Sequence, residues 1–351
     1  MHGQTAVSLR DNSRSFWLIL LLLLGIPLLS RQLLLRAAWS GYLQGFSMMF
    51  ISILLEALPF VLLGTFVSSV IHLYLNEDVL ARLMPKAHWL GLSTAALFGF
   101  LFPVCECAIV PITRGLVRKG VPIGMAVTFL LAVPIVNPIV LTSTFYAFDG
   151  AWGVVVLRAS CGFLVAVFVG DYLGRLYKKN YPLRTFGFYE TQQHDHGSAC
   201  AHAQGHSHAD HLEGGSSAVI WQLLQHTSEE FFEVGRYLIL GAGLSAALQT
   251  LVPRQCLLAV GQNNLLSVIA MMALAYGLSL CSEADAFIAR TFVGQFSSGS
   301  ILAFLVLGPM LDLKGTLLLS GAFERYFVWR LATTVALAVL GLGLLANAFH
   351  L

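Results

Sequence analysis

Long apolar runs alternate with short polar connections along most of the chain. Nine runs approach the ~20 apolar residues that a transmembrane helix needs, and they lie near residues 16–35, 44–74, 89–111, 122–147, 151–175, 236–252, 264–282, 299–318 and 328–349. We therefore predict an all-α, polytopic membrane protein of about eight or nine transmembrane helices. The first run follows Arg10 and Arg14, and we interpret it as a span because no A-x-A cleavage site of a signal peptide follows it.

Composition supports this fold class and excludes several functions. The chain is 57% hydrophobic and 11% charged, whereas soluble domains carry roughly 25% charged residues, so the lipid bilayer is the main partner. No basic stripe suggests nucleic-acid binding, and no Walker A motif suggests an ATPase. Six cysteines in mostly apolar surroundings do not form the pattern of a secreted disulfide framework. The sequence favours transport over enzymatic activity.

Two halves of the chain resemble each other at an offset of about 176 residues. Residues 56–64 match 233–241, Cys105-Glu106-Cys107 matches Cys281-Ser282-Glu283, Arg114 matches Arg290, and Phe129, Pro134 and Asn137 match Phe304, Pro309 and Asp312. With four spans in each half, we expect parallel repeats with a substrate site at their interface.

The repeat divides the chain into four parts. Residues 1–40 hold an N-terminal segment and the first span, 41–176 the first repeat, 177–217 a His-rich loop, and 218–351 the second repeat. Within the second repeat, residues 218–234 mix apolar and acidic positions, which predicts a helix on the membrane surface.

Basic residues set the expected orientation, because cytosolic loops carry an excess of Lys and Arg. Two basic groups, separated by two predicted spans, place the His-rich loop and the C-terminus in the cytosol: Arg114, Arg118 and Lys119, and Arg175, Lys178, Lys179 and Arg184. The same count places Arg82 and Lys86 outside.

The segment from Phe102 to Pro111 carries the strongest chemical signal. Cys105, Glu106 and Cys107 lie between two prolines inside an apolar run. An ionisable residue inside the membrane costs about 2.5–3.5 kcal/mol on insertion scales, so it marks a candidate functional site. The alternative interpretation, that these cysteines are small apolar residues of a packed helix, suits a single cysteine better than two beside a glutamate.

The matching segment of the second half adds Cys281, Glu283 and Asp285. If the halves face each other, three sulfur atoms and several carboxylates converge on one site. Thiolates select Cu(I), Zn(II) and similar soft ions, and trivalent arsenic also binds two or three thiolates. We predict Cys105, Cys107 and Cys281 as metal ligands, with a transported Zn or Cu ion as substrate and no resident cofactor.

Three further polar residues lie within apolar runs. Asn137 stands between Pro134 and Pro138, and Asp312 follows Pro309, so both predict an unwound turn that lines a cavity; a simple kink or span end is the alternative. Glu56 lies in an apolar run about 30 residues long and is a candidate for binding the cation or carrying a proton, unless it sits at a span end.

The loop itself is the third signal. It contains His194, His196, His202, His206, His208 and His211. Imidazole is the commonest metal ligand, and such tracts are typical of metal binding. Their irregular spacing predicts a weak collector with several sites, and the alternative is a polar linker of biased composition.

The segment around Cys105–Cys107, the Arg114–Lys119 stretch and the Pro134–Pro138 turn resemble the predicted-permease family that includes the trivalent organoarsenical efflux permeases. Residues 102–107 and 111–114, with the His-rich loop, look closer to its branch of copper/zinc efflux transporters. The resemblance covers the chain from about Glu56 onward and implies export across the inner (plasma) membrane.

Three hypotheses stay open at this point. The first is an inner-membrane permease for a soft cation of the copper/zinc type, driven by a gradient. The second is efflux of trivalent methylated arsenicals. The third is a membrane dithiol oxidoreductase that uses Cys105 and Cys107 as a redox pair, which requires exposed thiols of low pKa.

Overall fold

The computed structural model describes residues 39–74, 88–101, 105–177, 182–183, 216–251 and 264–349. These residues form twelve helices and no extended strand, which confirms the all-α class. The helices are α1 (Trp39–Tyr74), α2 (His88–Leu101), α3 (Glu106–Arg118), α4 (Ile123–Val136), α5 (Pro138–Ala147), α6 (Trp152–Leu176), α7 (Ser216–Leu251), α8 (Asn264–Leu278), α9 (Asp285–Arg290), α10 (Ser298–Met310), α11 (Leu313–Ala322) and α12 (Arg325–Ala348).

Six helical stretches of the described chain are long and apolar enough to cross a membrane. They are Tyr42–Ile71, Ile123–Ala147, Trp152–Leu176, Leu223–Thr250, Ser298–Ala322 and Arg325–Ala348, with shorter apolar helices at Trp89–Phe100 and Asn264–Leu278. The first predicted span, residues 16–35, lies outside the described residues. The predicted span 89–111 is instead two helices, α2 and α3.

Two of the spanning stretches are broken in the middle. Asn137 separates α4 from α5 and accepts a hydrogen bond of 2.9 Å from the backbone N–H of Ile139. Asp312 separates α10 from α11 and accepts one of 2.6 Å from the N–H of Gly315. These are the positions at which flanking prolines predicted an unwound turn, because proline removes a helical hydrogen bond.

Helices α2 and α3 are each too short to span the bilayer, and we call the start of α3 (Cys105 and Glu106) the first hairpin tip. Their 14 and 13 residues give lengths of roughly 20 Å at 1.5 Å per residue, against a hydrocarbon core of about 30 Å. A Cβ atom at Gly64 of α1 would lie 2.5 Å from the Ala108 carbonyl oxygen, and one at Gly115 would lie 2.8 Å from Ser68 Oγ. Thus α3 runs beside α1 in the same direction.

In the second half α8 and α9 are also short, and we call the segment from Cys281 to Asp285 the second hairpin tip. The hydroxyl groups of Ser267 and Ser300 are 2.7 Å apart, and a Cβ atom at Gly308 would lie 3.8 Å from that of Ala275. Helix α8 therefore runs in the same direction as α10 and ends near the break in the α10–α11 span.

Helices α1 and α7, which the expected repeat equates, pack antiparallel. A Cβ atom at Gly45 would lie 3.6 Å from Thr250, while Ser68 donates a hydrogen bond of 3.1 Å to Glu230. The expectation of parallel halves is therefore wrong. The predicted surface helix at 218–234 is also not separate, because it continues into the following span as the single helix α7.

The paths of the helices define two faces. Since α6 returns antiparallel to α4 and α5, with Gly162 beside Ile135 and Gly170 beside Gly124, Arg118 and Arg175 lie at one face and Asp149 lies at the other. The backbone N–H of Glu324 donates to the Pro182 carbonyl at 3.0 Å, which places Glu324 on the first face. We call these the loop face (Arg118, Arg175 and Glu324) and the turn face (Asp149 and Arg290).

Helix α12 begins at the loop face with Arg325 and runs antiparallel to α10, because Gly343 packs on Gly299. Its end at Ala348 therefore lies toward the turn face. The expectation that the C-terminus shares a side with the loop after Arg175 is wrong. Lys178, Lys179, Arg184, Arg82 and Lys86 lie outside the described residues.

The buried core follows the two broken spans. Of their most apolar windows, 83% and 78% of the residues are buried, compared with 28–44% for the other four spans. Small residues bring the helices together: a Cβ atom at Gly124 would lie 2.8 Å from the Gly170 carbonyl oxygen. Such close backbone approach is how helices gain packing energy in lipid. The polar hairpin tips lie against this core.

Candidate functional site

Both hairpin tips place polar side chains at the start of a half-helix. Cys105 is the N-cap of α3, and Glu106 lies in its first turn. Asp285 lies in the first turn of α9, four residues after Cys281. Helix N-termini carry a partial positive charge, which favours carboxylates and thiolates there. All four of these side chains are buried.

Glu56, Cys281 and Glu283 form the one group of three His, Cys, Asp or Glu residues in the described chain whose ligand atoms lie within 4.8 Å of one another. The Cys281 Sγ and a Glu283 carboxylate oxygen are 3.5 Å apart. Glu56 sits at the middle of the span Tyr42–Ile71, not at its end. The donor set is one thiol and two carboxylates.

Cys105 and Cys107 form a separate thiol pair. Both side chains are buried, and both cysteines are free. They do not belong to the group with Cys281. The three predicted thiols therefore do not form one ligand cluster.

Lys314, at the start of α11, pairs with the first hairpin tip. Its Nζ lies 3.0 Å from Glu106 Oε1 and 4.0 Å from Asp312 Oδ2. All three side chains are buried. The second carboxylate oxygens, Glu106 Oε2 and Asp312 Oδ2, are buried without a hydrogen-bond partner. The Lys314 ammonium group therefore lies beside two carboxylates, each of which has an oxygen that accepts no hydrogen bond.

Arg158 of α6 pairs with the second hairpin tip. Its guanidinium donates to Asp285 at 2.6 Å, to Thr144 Oγ1 at 2.6 Å and to the Ser282 carbonyl at 3.4 Å. The side chain is completely buried. Each hairpin tip is consequently held by a basic residue of the other half of the chain: Glu106 by Lys314, and Asp285 by Arg158.

The sequence analysis did not select Lys314 or Arg158. A signal was present, since each is a basic residue next to or inside a run predicted to lie in the membrane. Their partners are 208 and 127 residues away along the chain, so no local pattern links them.

The remaining predicted residues have simpler positions. Asn137 and Asp312 are both buried and use a side-chain oxygen to cap α5 and α11, so their first role is to terminate the helix break. The six histidines of the loop, His194 to His211, lie outside the described residues.

The comparison with known proteins agrees with this architecture. Residues 42–348 match the family described as predicted permeases. The chain belongs to this predicted-permease family. A predicted permease is a membrane transport protein, which is the class that composition favoured.

Relatives of this permease cover nearly its full length. It is 44% identical over 310 residues to "UPF0718 protein YcgR" of Bacillus subtilis, covering 88% of this chain and 99% of that protein. It is 36% identical over 291 residues, 83% of this chain and 91% of the other, to a Streptococcus mutans protein named "Putative two-component membrane permease complex subunit". "UPF0718 protein YraQ" of Escherichia coli is 23% identical over 292 residues, covering 82% and 76%. No solved structure matches the chain.

Proposed function

We propose that this permease exports a soft metal cation of the copper/zinc type across the inner membrane. The group of Glu56, Cys281 and Glu283 carries the proposal, because it is an arrangement of three metal-ligand side chains at the centre of a membrane-spanning helix. Zn(II) accepts both thiolate and carboxylate ligands, whereas Cu(I) prefers sulfur. Among soft cations this donor set therefore favours Zn(II).

We further propose that the site lies between two inverted repeats of about 176 residues. The order and lengths of the helices support this: α1 and α7 have 36 residues each, α5 and α11 have 10 each, and α6 and α12 have 25 and 24. Because the equivalent helices α1 and α7 pack antiparallel, the two proposed repeats have opposite orientations in the membrane. A rotation about the membrane normal cannot relate them. Glu56 then comes from the first repeat, and Cys281 and Glu283 come from the second.

We assign the loop face to the cytosol, because Arg118, Lys119 and Arg175 gather there. The His-rich loop follows Arg175 and would lie on that side, where it collects metal before the membrane site does. The sequence has no Walker A motif, so we propose that a gradient drives export. A protonophore should then stop efflux, and efflux that survives the loss of both pH gradient and potential would exclude proton coupling.

Uptake of Zn(II) and Cu(I) into inside-out membrane vesicles tests the substrate. Cys281→Ser and Glu283→Gln each remove one ligand and should reduce Zn(II) uptake at low metal concentration by about tenfold or more. Cys161→Ser is the matched control, because Cys161 is a free, half-buried cysteine of α6 that does not belong to the group of Glu56, Cys281 and Glu283. Equal uptake by all three variants and the parent would exclude the Cys281 site.

The thiol pair supports a second candidate, transport of trivalent methylated arsenicals. Trivalent arsenic binds two thiolates, and Cys105 and Cys107 lie two residues apart at the start of α3. The variant Cys105→Ser/Cys107→Ser should then lose arsenical uptake while Cys281→Ser retains it. The burial of both thiols counts against a dithiol oxidoreductase, which requires exposed thiols; titration of the thiols with a water-soluble reagent distinguishes that activity.

A further inference from the structure

Two arginines occupy equivalent positions in the proposed repeats but have different partners. Arg114 lies about one turn before the end of α3 and pairs with Glu233 of α7 at 3.0 Å, with side-chain exposures of 1% and 16%. Arg290 ends α9 at the turn face and pairs with Asp149 at 2.6 Å, with exposures of 45% and 78%. The Arg114–Glu233 pair is mostly buried, whereas the Arg290–Asp149 pair is exposed.

The acidic partners are not repeat equivalents of each other. Glu233 corresponds to Glu56 at an offset of 177, whereas Asp149 corresponds to Glu324 at an offset of 175 in the matching pairs Phe148-Asp149 and Phe323-Glu324. Each arginine thus has two acids assigned to it by symmetry. In the present state Arg114 pairs with Glu233 on the long helix α7, and Arg290 pairs with Asp149 in the turn between α5 and α6.

The helices that carry the two arginines, α3 and α9, also differ in how tightly they pack. Helix α3 packs along α1 and also contacts α4 and α11, and eleven of its thirteen residues are buried. Helix α9 packs against α5 and α10 and buries three of its six residues. Phe287 and Arg290 of α9 are exposed. Among the described residues, α3 at the loop face is therefore more tightly packed than α9 at the turn face.

We propose that Arg114 and Arg290 are gate residues that exchange partners during transport. This inference rests on the inverted repeats and the central site proposed above. If the halves exchange conformations, Arg290 moves to Glu56, Arg114 moves to Glu324, and the turn face closes while the loop face opens. In a transporter of inverted repeats, such an exchange gives access to the same site from the other side.

The exchange also acts on the substrate. When Arg290 pairs with Glu56, it withdraws one carboxylate from the group with Cys281 and Glu283 and places a positive charge beside the cation. Both changes weaken binding of the cation, so the cation leaves the site when this gate closes. In the described chain Glu56 makes no ion pair in the present state, which leaves its carboxylate available to the cation.

Cysteine pairs across the two halves test the exchange. In Arg114→Cys/Glu233→Cys a bifunctional thiol reagent that spans the two shortened side chains should link the positions in the present state, and in Arg114→Cys/Glu324→Cys it should link them only after the exchange. Cleavage at a protease site inserted within residues 194–211 separates the halves, so that a cross-link keeps them together on a denaturing gel. Arg114→Cys/Arg290→Cys is the negative control, because these residues lie near opposite faces.

We expect both test pairs to cross-link several-fold above the control, and saturating Zn(II) to change their yields in opposite directions. If the Arg114→Cys/Glu324→Cys pair never exceeds the control while Zn(II) is transported by the parent protein, the gate is refuted but the proposed function stands. If both pairs cross-link and neither Zn(II) nor Cu(I) shifts the yields, the gate stands and the metal substrate is refuted.

Discussion

The buried pair of Lys314 and Glu106 allows a quantitative prediction. Replacing Lys314 by Met removes the cation bonded to Glu106 at 3.0 Å and leaves a carboxylate buried whose Oε2 already has no hydrogen-bond partner. We expect Lys314→Met to destabilise the protein strongly. The double variant Lys314→Met/Glu106→Gln removes both charges of this pair and should recover much of the loss, but not all of it, because Asp312 Oδ2, 4.0 Å from Lys314 Nζ, still loses its cation.

The magnitude follows from the distance and the burial. Two unit charges 3.0 Å apart attract by about 5–6 kcal/mol at an effective dielectric constant of about 20. Their side-chain exposures are 5% and 8%, so solvent screens the pair little. Breaking a buried pair by removing one partner costs about 3–5 kcal/mol, while replacing both is often close to neutral. The coupling energy between the two positions should therefore be about 3 kcal/mol.

Thermal unfolding in detergent measures this cycle. A loss of 3–5 kcal/mol corresponds to a fall in Tm of roughly 6–10 °C, at about 2 °C per kcal/mol for a chain of this size. Arg175→Met is the control, because Arg175 is 65% exposed in its pair with Asp171 and such pairs contribute at most about 1 kcal/mol. If the effects of Lys314→Met and Glu106→Gln simply add in the double variant, the two side chains are not energetically coupled and the reasoning fails.

Three further predictions follow from the same structure. Arg158→Met should abolish transport and lower Tm as strongly as Lys314→Met, since it leaves Asp285 buried and unpaired; a Tm and uptake rate equal to the parent protein's would exclude that role. Gly299→Ala should lower the free energy of unfolding by about 1–3 kcal/mol, because its Cβ would overlap the Gly343 carbonyl oxygen, whereas Gly153→Ala, with no atom within 4 Å of the new Cβ, should not destabilise. Deletion of residues 194–211 should raise the KM for metal uptake and leave the maximal rate nearly unchanged, as loss of uniform binding does; complete loss of uptake would place the loop in the transport pathway.

Several features could be predicted from sequence because they depend on local composition. Apolar runs predict helices in lipid, since only helices satisfy every backbone polar group within one segment. The helix breaks at Asn137 and Asp312 followed from neighbouring prolines. The polar tips around Cys105 and Cys281 stood out because ionisable residues are rare in such runs.

Other features depended on contacts between distant segments. The pairing of Lys314 with Glu106 and of Arg158 with Asp285 joins residues more than 100 positions apart. The proximity of Glu56, rather than Cys105, to both Cys281 and Glu283 depends on how α1 lies beside the second hairpin tip. Side-chain chemistry identified these candidates, but only packing decided which of them meet.

The directions of the helices show this division most clearly. The sequence determined by itself that the protein lies in the membrane, because hydrophobicity is a property of each position. It did not determine that the 89–111 run contains two short helices or that α1 packs antiparallel to α7, since hydropathy does not record which segments pack together. Only the tertiary structure decided these directions, because they depend on contacts between distant parts of the chain.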